Sequence, residues 1–211
     1  MSDTVIFLGP SLSRSEALSI LQADYRPPIC RGDLAKLPET TRVVGIIDGE
    51  FFQHLAVSSK EILTLLDNGV QVFGAASMGA LRAAETYMFG TIGVGEIFRM
   101  FRDGVLDGDD EVAVVYDPCS YRQLSEPLVN IRYALQMAVA ERAINEVEGN
   151  YLLQQIKSLY FPERSYKALH SLSASFGEFF RGSVMPDVKR EDARQLLFAI
   201  KNSRQASGAY Q

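Results

Sequence analysis

The sequence predicts an α/β protein: a short parallel sheet of about four strands with flanking helices, followed by an all-helical C-terminal region. Three observations carry this expectation. Short β-branched runs, Val5-Ile6-Phe7-Leu8, Arg42-Val43-Val44-Gly45-Ile46-Ile47-Asp48 and Val70-Gln71-Val72-Phe73, each run into a glycine-bearing turn. Stretches of helical period separate them at crossover spacing. From about residue 135 onward the apolar spacing stays helical, with no clear strand.

Each element has its own signal. Val5 to Leu8 is a buried strand ended by Gly9-Pro10. Ser13 or Ser15 caps a helix whose Ala17, Leu18, Ile20 and Leu21 share a face, and Pro27-Pro28 breaks the chain after it. The second strand is bounded by Gly49. Ser58 opens a helix to Leu66 as a capping box with Glu61, and Asn68-Gly69 closes it. The third strand turns at Gly74-Ala75-Ala76 into a helix from Ser77 to about Tyr87. Val112 to Tyr116 reads as a fourth strand, and Ser125 to Val147 as one long helix. Shorter helices reach Ala199, and the polar tail Asn202 to Gln211 reads as frayed. The expected organisation is an α/β core over 1–135 and a helical extension over 136–211, packed as one structural unit.

Composition narrows the function classes. The 211 residues are 47% hydrophobic and 22% charged, with a formal net charge of -5. That is globular, and it supplies no general basic field for nucleic acid or an anionic membrane. No apolar run is long enough to span a bilayer. The chain enters its first strand without a basic n-region, so a cytoplasmic protein with no signal peptide is expected. Two cysteines, Cys30 and Cys119, and two histidines, His54 and His170, are too scattered for a zinc site of the common type. The acidic run from Asp107 to Glu111 lacks EF-hand order. Neither a Walker A string nor a G-x-G-x-x-G after a strand occurs, and no cofactor and no metal are expected.

Ligands of an open parallel sheet bind beyond the carboxyl ends of its strands. Three loops converge there: Gly9-Pro10-Ser11, Asp48-Gly49-Glu50 and Gly74-Ala75-Ala76-Ser77. Ala75-x-Ser77-x-Gly79 is similar to a nucleophile elbow with alanine in the first glycine position. Small residues let strand and helix approach, the turn raises the serine hydroxyl, and the Met78 N–H faces an oxyanion at the helix start. The plainer reading makes Ser77 a helix cap. Lys60, in the first turn of a helix starting at the same edge, is the candidate base, because the helix dipole disfavours its charged form. Glu61 beside it acts the other way. His54 and His170 are alternative bases. Arg82 and Glu85 stand at i and i+3, where they pair with each other or face a partner's charged terminus.

The ordered strings Phe7-Leu8-Gly9-Pro10-Ser11, Gly45-Ile46-Ile47-Asp48-Gly49, Lys60-Glu61-Ile62-Leu63, Val72 to Glu85, Phe101 to Gly104, Asp109 to Val114 and Ser125 to Arg132 resemble the TfuA core family from about residue 5 to 135. Ser59 departs from the histidine expected before the Lys60 string. The resemblance implies an accessory protein of peptide backbone thioamidation. It implies hydrolysis of the C-terminal thiocarboxylate of a small ThiS-like sulfur carrier, delivering sulfide to a YcaO enzyme that holds the peptide substrate. It implies a Ser-Lys catalytic pair, best fitted by Ser77 and Lys60. Met78, Gly79, Ser11 and Gly49 form the expected oxyanion pocket; Arg82, Glu85, Asp48 and Arg132 are the expected carrier or partner contacts. The alternatives are a non-catalytic module that docks on YcaO and shapes its peptide groove, and a serine hydrolase of small esters.

Overall fold

The computed structural model describes residues 2–52 and 54–208, with side chains as far as residue 205. Five parallel strands, β1 (Thr4–Phe7), β2 (Asp24–Arg26), β3 (Val43–Ile46), β4 (Gln71–Gly74) and β5 (Ile92–Gly93), form one sheet in the order β2-β1-β3-β4-β5. The helices are α1 (Arg14–Ile20), α2 (Ser59–Asp67), α3 (Met78–Thr86), α4 (Gly95–Arg102), α5 (Leu128–Ala140), α6 (Glu146–Ser158), α7 (Tyr166–Leu172), α8 (Ala174–Phe179) and α9 (Val188–Gly208). The chain forms two compact units: Met1–Asp109 with Lys189–Gln211, and Asp110–Val188. The style boundary read at residue 135 falls inside α5.

The first unit holds the sheet, and strand alternation sorts its core. Ile6, Val43, Ile47 and Phe73 point to one face, where they meet Ala17 and Leu21 of the α1 segment and Ala193, Leu196, Leu197 and Ile200 of α9. Val5, Phe7, Val44, Ile46 and Val72 point to the other, against Ile62 of α2 and Met78 of α3. α9 packs tightly over Gly45, where an added Cβ would stand 3.0 Å from Ile200 Cδ1 and 3.1 Å from Leu196 Cδ2. The expected α/β architecture with a helical C-terminal region is therefore present, with one addition: the last helix returns to complete a face of the sheet.

The second unit is helical. Its core joins Leu128, Ile131, Leu135 and Ala138 of α5 to Leu152 and Ile156 of α6, Leu169 of α7 and Phe176 of α8. Glu111 is fully buried and takes two bonds from Arg132, at 2.6 and 2.8 Å, with Lys157 at 3.5 Å. Buried Arg164 reaches both the carboxylate and the backbone carbonyl of Asp110. The acidic run thus supplies ion pairs to this unit.

Three expected elements differ. Val112 to Tyr116 is not a sheet strand; Tyr116 forms an isolated antiparallel bridge with Gln123, and Val115 N–H donates to the Ser125 hydroxyl. A short apolar run signals burial, not its partner. The sheet instead takes β2 and β5, too short for any periodicity to register. The long helix over 125–147 is two helices: Arg142 at φ 60° turns the chain, and the Asn145 side chain caps α6 by accepting from Glu148 N–H. Apolar spacing continued across the break because both helices face the same core. The polar tail is helical as far as Gly208; residues 209–211 lie outside the described residues.

Candidate active site

The strand–helix turn after β4 is built by close backbone approach. A Cβ on Gly79 would stand 1.8 Å from the Ile46 carbonyl oxygen, and one on Gly74 would stand 2.2 Å from the Gly79 carbonyl oxygen. Only glycine allows α3 to start this close to β3 and β4. Between them Ala76 takes φ 66°, and the Ser77 N–H donates to the Ala75 carbonyl at 2.8 Å. This three-residue turn around a left-handed alanine is a strained conformation, of the order of 1–2 kcal/mol. It delivers Ser77, 2% exposed, to the carboxyl edge of the sheet. Ser77 stands at the N-cap position of α3, as the cap reading expects, but its side chain makes no capping bond to the helix.

The backbone N–H groups around Ser77 divide by use. Gly79 N–H donates to Ile47 O at 3.3 Å, which ties the helix start to β3's exit. Met78 N–H, the first of α3, has no intrahelical acceptor and belongs to the positive end of the helix. Gly49 lies against the same methionine; its Cβ position is 2.8 Å from Met78 Cγ. Ser11 is committed elsewhere: its N–H and hydroxyl both donate to the buried Asp48 carboxylate, at 3.1 and 2.6 Å, and Gly9 N–H donates at 2.9 Å. Asp48 therefore latches the loop after β1 to the loop after β3.

Lys60 is exposed in the first turn of α2. That turn is a full capping box: Ser58 accepts from Glu61 N–H, and the Glu61 carboxylate takes the Ser58 N–H at 2.9 Å. Burial raises the Glu61 pKa, but N–H donors from Ser58 and Gly32 outweigh it and hold the carboxyl below its ordinary value. Arg82 Nε donates to Val57 O at 2.7 Å and Arg82 pairs with Glu85 at 2.6 Å. The Ser59 hydroxyl donates to that same Glu85. These bonds fasten α2 to α3 five and eight residues beyond Ser77, about 7–12 Å along the helix axis. Arg132 belongs to the second unit, paired with Glu111. His54 is exposed in the first unit, and His170, in the second unit like Arg132, packs tilted against Phe176 with ring centres 5.6 Å apart.

Two charged residues on α9 escaped the sequence reading. Asp192 is buried and accepts from Glu96 and Ile97 N–H, both at 2.8 Å, capping α4; Gly95, at φ 92°, leaves room for its carboxylate. Burial pushes its pKa up to about 6 against the two N–H bonds that lower it. Lys189 is 1% exposed. Their only sequence signal is a charge falling on the Ala193-Leu196-Ile200 stripe of a helix. Among the described residues no group of His, Cys, Asp and Glu is arranged to hold a metal ion.

The fold and this turn define a class: a parallel α/β protein with a buried serine at the start of a helix over the carboxyl edge of its sheet. The family model described as TfuA-like protein matches residues 48–165, which include the serine turn and most of the second unit. The match covers more than half of the chain, and the chain belongs to the TfuA-like protein family. No curated protein matches it.

Proposed function

We propose that the protein hydrolyses the C-terminal thiocarboxylate of a ThiS-like sulfur carrier and delivers the sulfide to a YcaO enzyme for peptide backbone thioamidation. Ser77 is the nucleophile of this reading and a lysine its base; Lys60 is the lysine to which the family resemblance leads. The observation that carries the reading is the strained Ala76 turn, which presents a buried serine whose side chain makes no cap bond, beside the first N–H of α3.

The chemistry follows from those groups. Removal of the Ser77 proton lets Oγ attack the thiocarboxylate carbon. The Met78 N–H faces the tetrahedral oxyanion, where a helix N-terminus favours negative charge. Hydrosulfide leaves and water hydrolyses the acyl-serine. The test is sulfide release from a thiocarboxylated ThiS-type carrier by the protein alone. Ser77→Ala is expected to abolish release while circular dichroism and melting stay unchanged; retained turnover in that variant would sink the assignment.

A docking role is the second reading, and exposed Met88, Phe89 and Ile92 beside the edge strand β5 favour it. It predicts no sulfide release by the isolated protein and tighter peptide binding by YcaO in its presence.

A further inference from the structure

We infer that the groove between α2 and the 3-10 turn Leu34–Lys36 binds a free α-amino acid with a large apolar side chain. The groove shares no residue with the serine turn, and the inference does not depend on the hydrolase reading.

Local structure builds the groove. One wall is the 3-10 turn and the segment that follows it to Arg42, just before β3. The other is a single face of α2, Glu61, Thr64, Leu65 and Asn68, at i, i+3, i+4 and i+7. Leu34 is buried and Leu37, Leu65 and Val70 are half-buried, so the lining between the walls is apolar. The volume is about 520 Å³, within the range of small-molecule sites. Every lining residue belongs to the first unit.

Toward the start of α2 the polar groups of the lining are already engaged. Glu61 Oε1 accepts from Gly32 N–H at 2.6 Å, and Oε2 accepts from the Ser58 N–H and hydroxyl at 2.9 and 2.8 Å. The Thr64 hydroxyl donates to Lys60 O at 3.0 Å. At the other end Gln71 N–H, beside Val70, donates to Arg42 O at 2.9 Å, and there the polar groups are free. Thr41 lines the groove and is 4% exposed. Among the described residues its hydroxyl is the one buried side-chain oxygen or nitrogen with no hydrogen-bond partner. A buried hydroxyl in that state costs free energy until something bonds it. Arg42 Nη1 donates to Glu39 O at 3.3 Å, which draws the guanidinium back over the turn and uses one of its N–H donors. Glu39 and Arg42 are exposed, and among the described residues neither makes an ion pair.

These groups select the ligand. A carboxylate complements the Arg42 guanidinium, and an ammonium complements the Glu39 carboxylate. The two residues flank a turn closed by Thr41 N–H on Pro38 O at 2.9 Å, so the charges they recognise lie close together, as they do on one α-carbon. A simple anion would meet Glu39 beside its arginine, and a simple amine would meet Arg42 beside its glutamate. The Leu34, Leu37, Leu65 and Val70 lining takes an apolar side chain out of water. The Thr41 hydroxyl gains from the ligand's polar end the partner it lacks.

The experiment is an NMR titration of the full chain with L-phenylalanine, N-acetyl-L-phenylalanine, 2-phenylethylamine and glycine. L-Phenylalanine is expected to give saturable shifts centred on residues 34–42 and 61–70. Each other compound lacks one recognised group and is expected to bind about tenfold or more weakly. Arg42→Gln is expected to bind L-phenylalanine about tenfold more weakly and to lose the preference for it over 2-phenylethylamine. Thr41→Val is expected to bind it about tenfold more weakly yet to melt no lower than wild type, because the substitution removes an unpaired buried hydroxyl. Absence of saturable shifts with L-phenylalanine, shifts centred elsewhere, or equal affinity for the four compounds overturns the inference. So does unchanged affinity in Arg42→Gln. None of these readings requires turnover at Ser77, so failure here leaves the hydrolase reading standing.

Discussion

At Gly79 the absence of a side chain decides whether the serine turn exists. A methyl group there would occupy the space of the Ile46 carbonyl, which is fixed in the sheet and cannot yield. Gly79→Ala is expected to cost about 3 kcal/mol or more in urea unfolding, in the range of severe steric insertions. Asp192 carries a pH signature of definite sign. Its pKa is raised from 3.8 to about 6 by burial, so the folded state holds this proton more firmly than the unfolded chain. Its contribution is full below pH 3.8 and is lost as pH rises through about 6. The size is on the order of 3 kcal/mol, two pKa units at about 1.4 kcal/mol each. Asp192→Asn removes this dependence, so the variant should gain stability relative to wild type between pH 4 and pH 7, a difference that parallel urea titrations would read directly.

At the scale of elements, α2 is held at its start more than along its length. Ile62 is its one buried apolar residue, and the capping box and the Glu61 bond from Gly32 N–H at 2.6 Å anchor the first turn. Ser58→Ala loses the cap bond from Glu61 N–H and the hydroxyl's bond to the Glu61 carboxylate, and should cost about 1 kcal/mol. Glu61→Ala also strands the Gly32 N–H and should cost about 2 kcal/mol. Equal costs in denaturant titrations would mean that the Gly32 bond contributes nothing. The reverse case is α3, whose first residue, Met78, is buried and whose serine does not cap. That helix start is held by packing and by the Gly79–Ile47 bond, and its first N–H, that of Met78, has no intrahelical acceptor.

For the molecule as a whole, the last helix completes the first half. Ala193, Leu196, Leu197 and Ile200 cover one face of the sheet, and Glu16 of α1 pairs with Arg190 and Arg194. The three large aliphatic residues alone contribute about 5–9 kcal/mol of burial, comparable with the whole stability of a typical domain. A chain ending at Asp187 should therefore lose its cooperative melting transition and bind a hydrophobic dye. A sharp transition in that truncated chain would show that the sheet stands without α9. Among the described residues no helix is long and apolar enough to cross a membrane.

What the sequence determined by itself was local. β-branched runs, the Ser58 box and the small residues around Ser77 fix three strands, two helices and one serine turn, because each depends on neighbours within a few positions. Family membership was legible for the same reason, since ordered short strings carry it. Tertiary structure alone decided the rest. Strands β2 and β5 exist because a neighbouring strand supplies their hydrogen bonds. The run at 112–116 found its partner outside the sheet. Arg82 and Glu85 clamp two helices through Val57 and Ser59, and Asp48 turned inward to latch two loops. Lys189 and Asp192, unremarkable on a charged helix, came to the edge of the sheet because α9 folds back across more than a hundred residues of chain to cover it, and no local pattern encodes so distant a pairing.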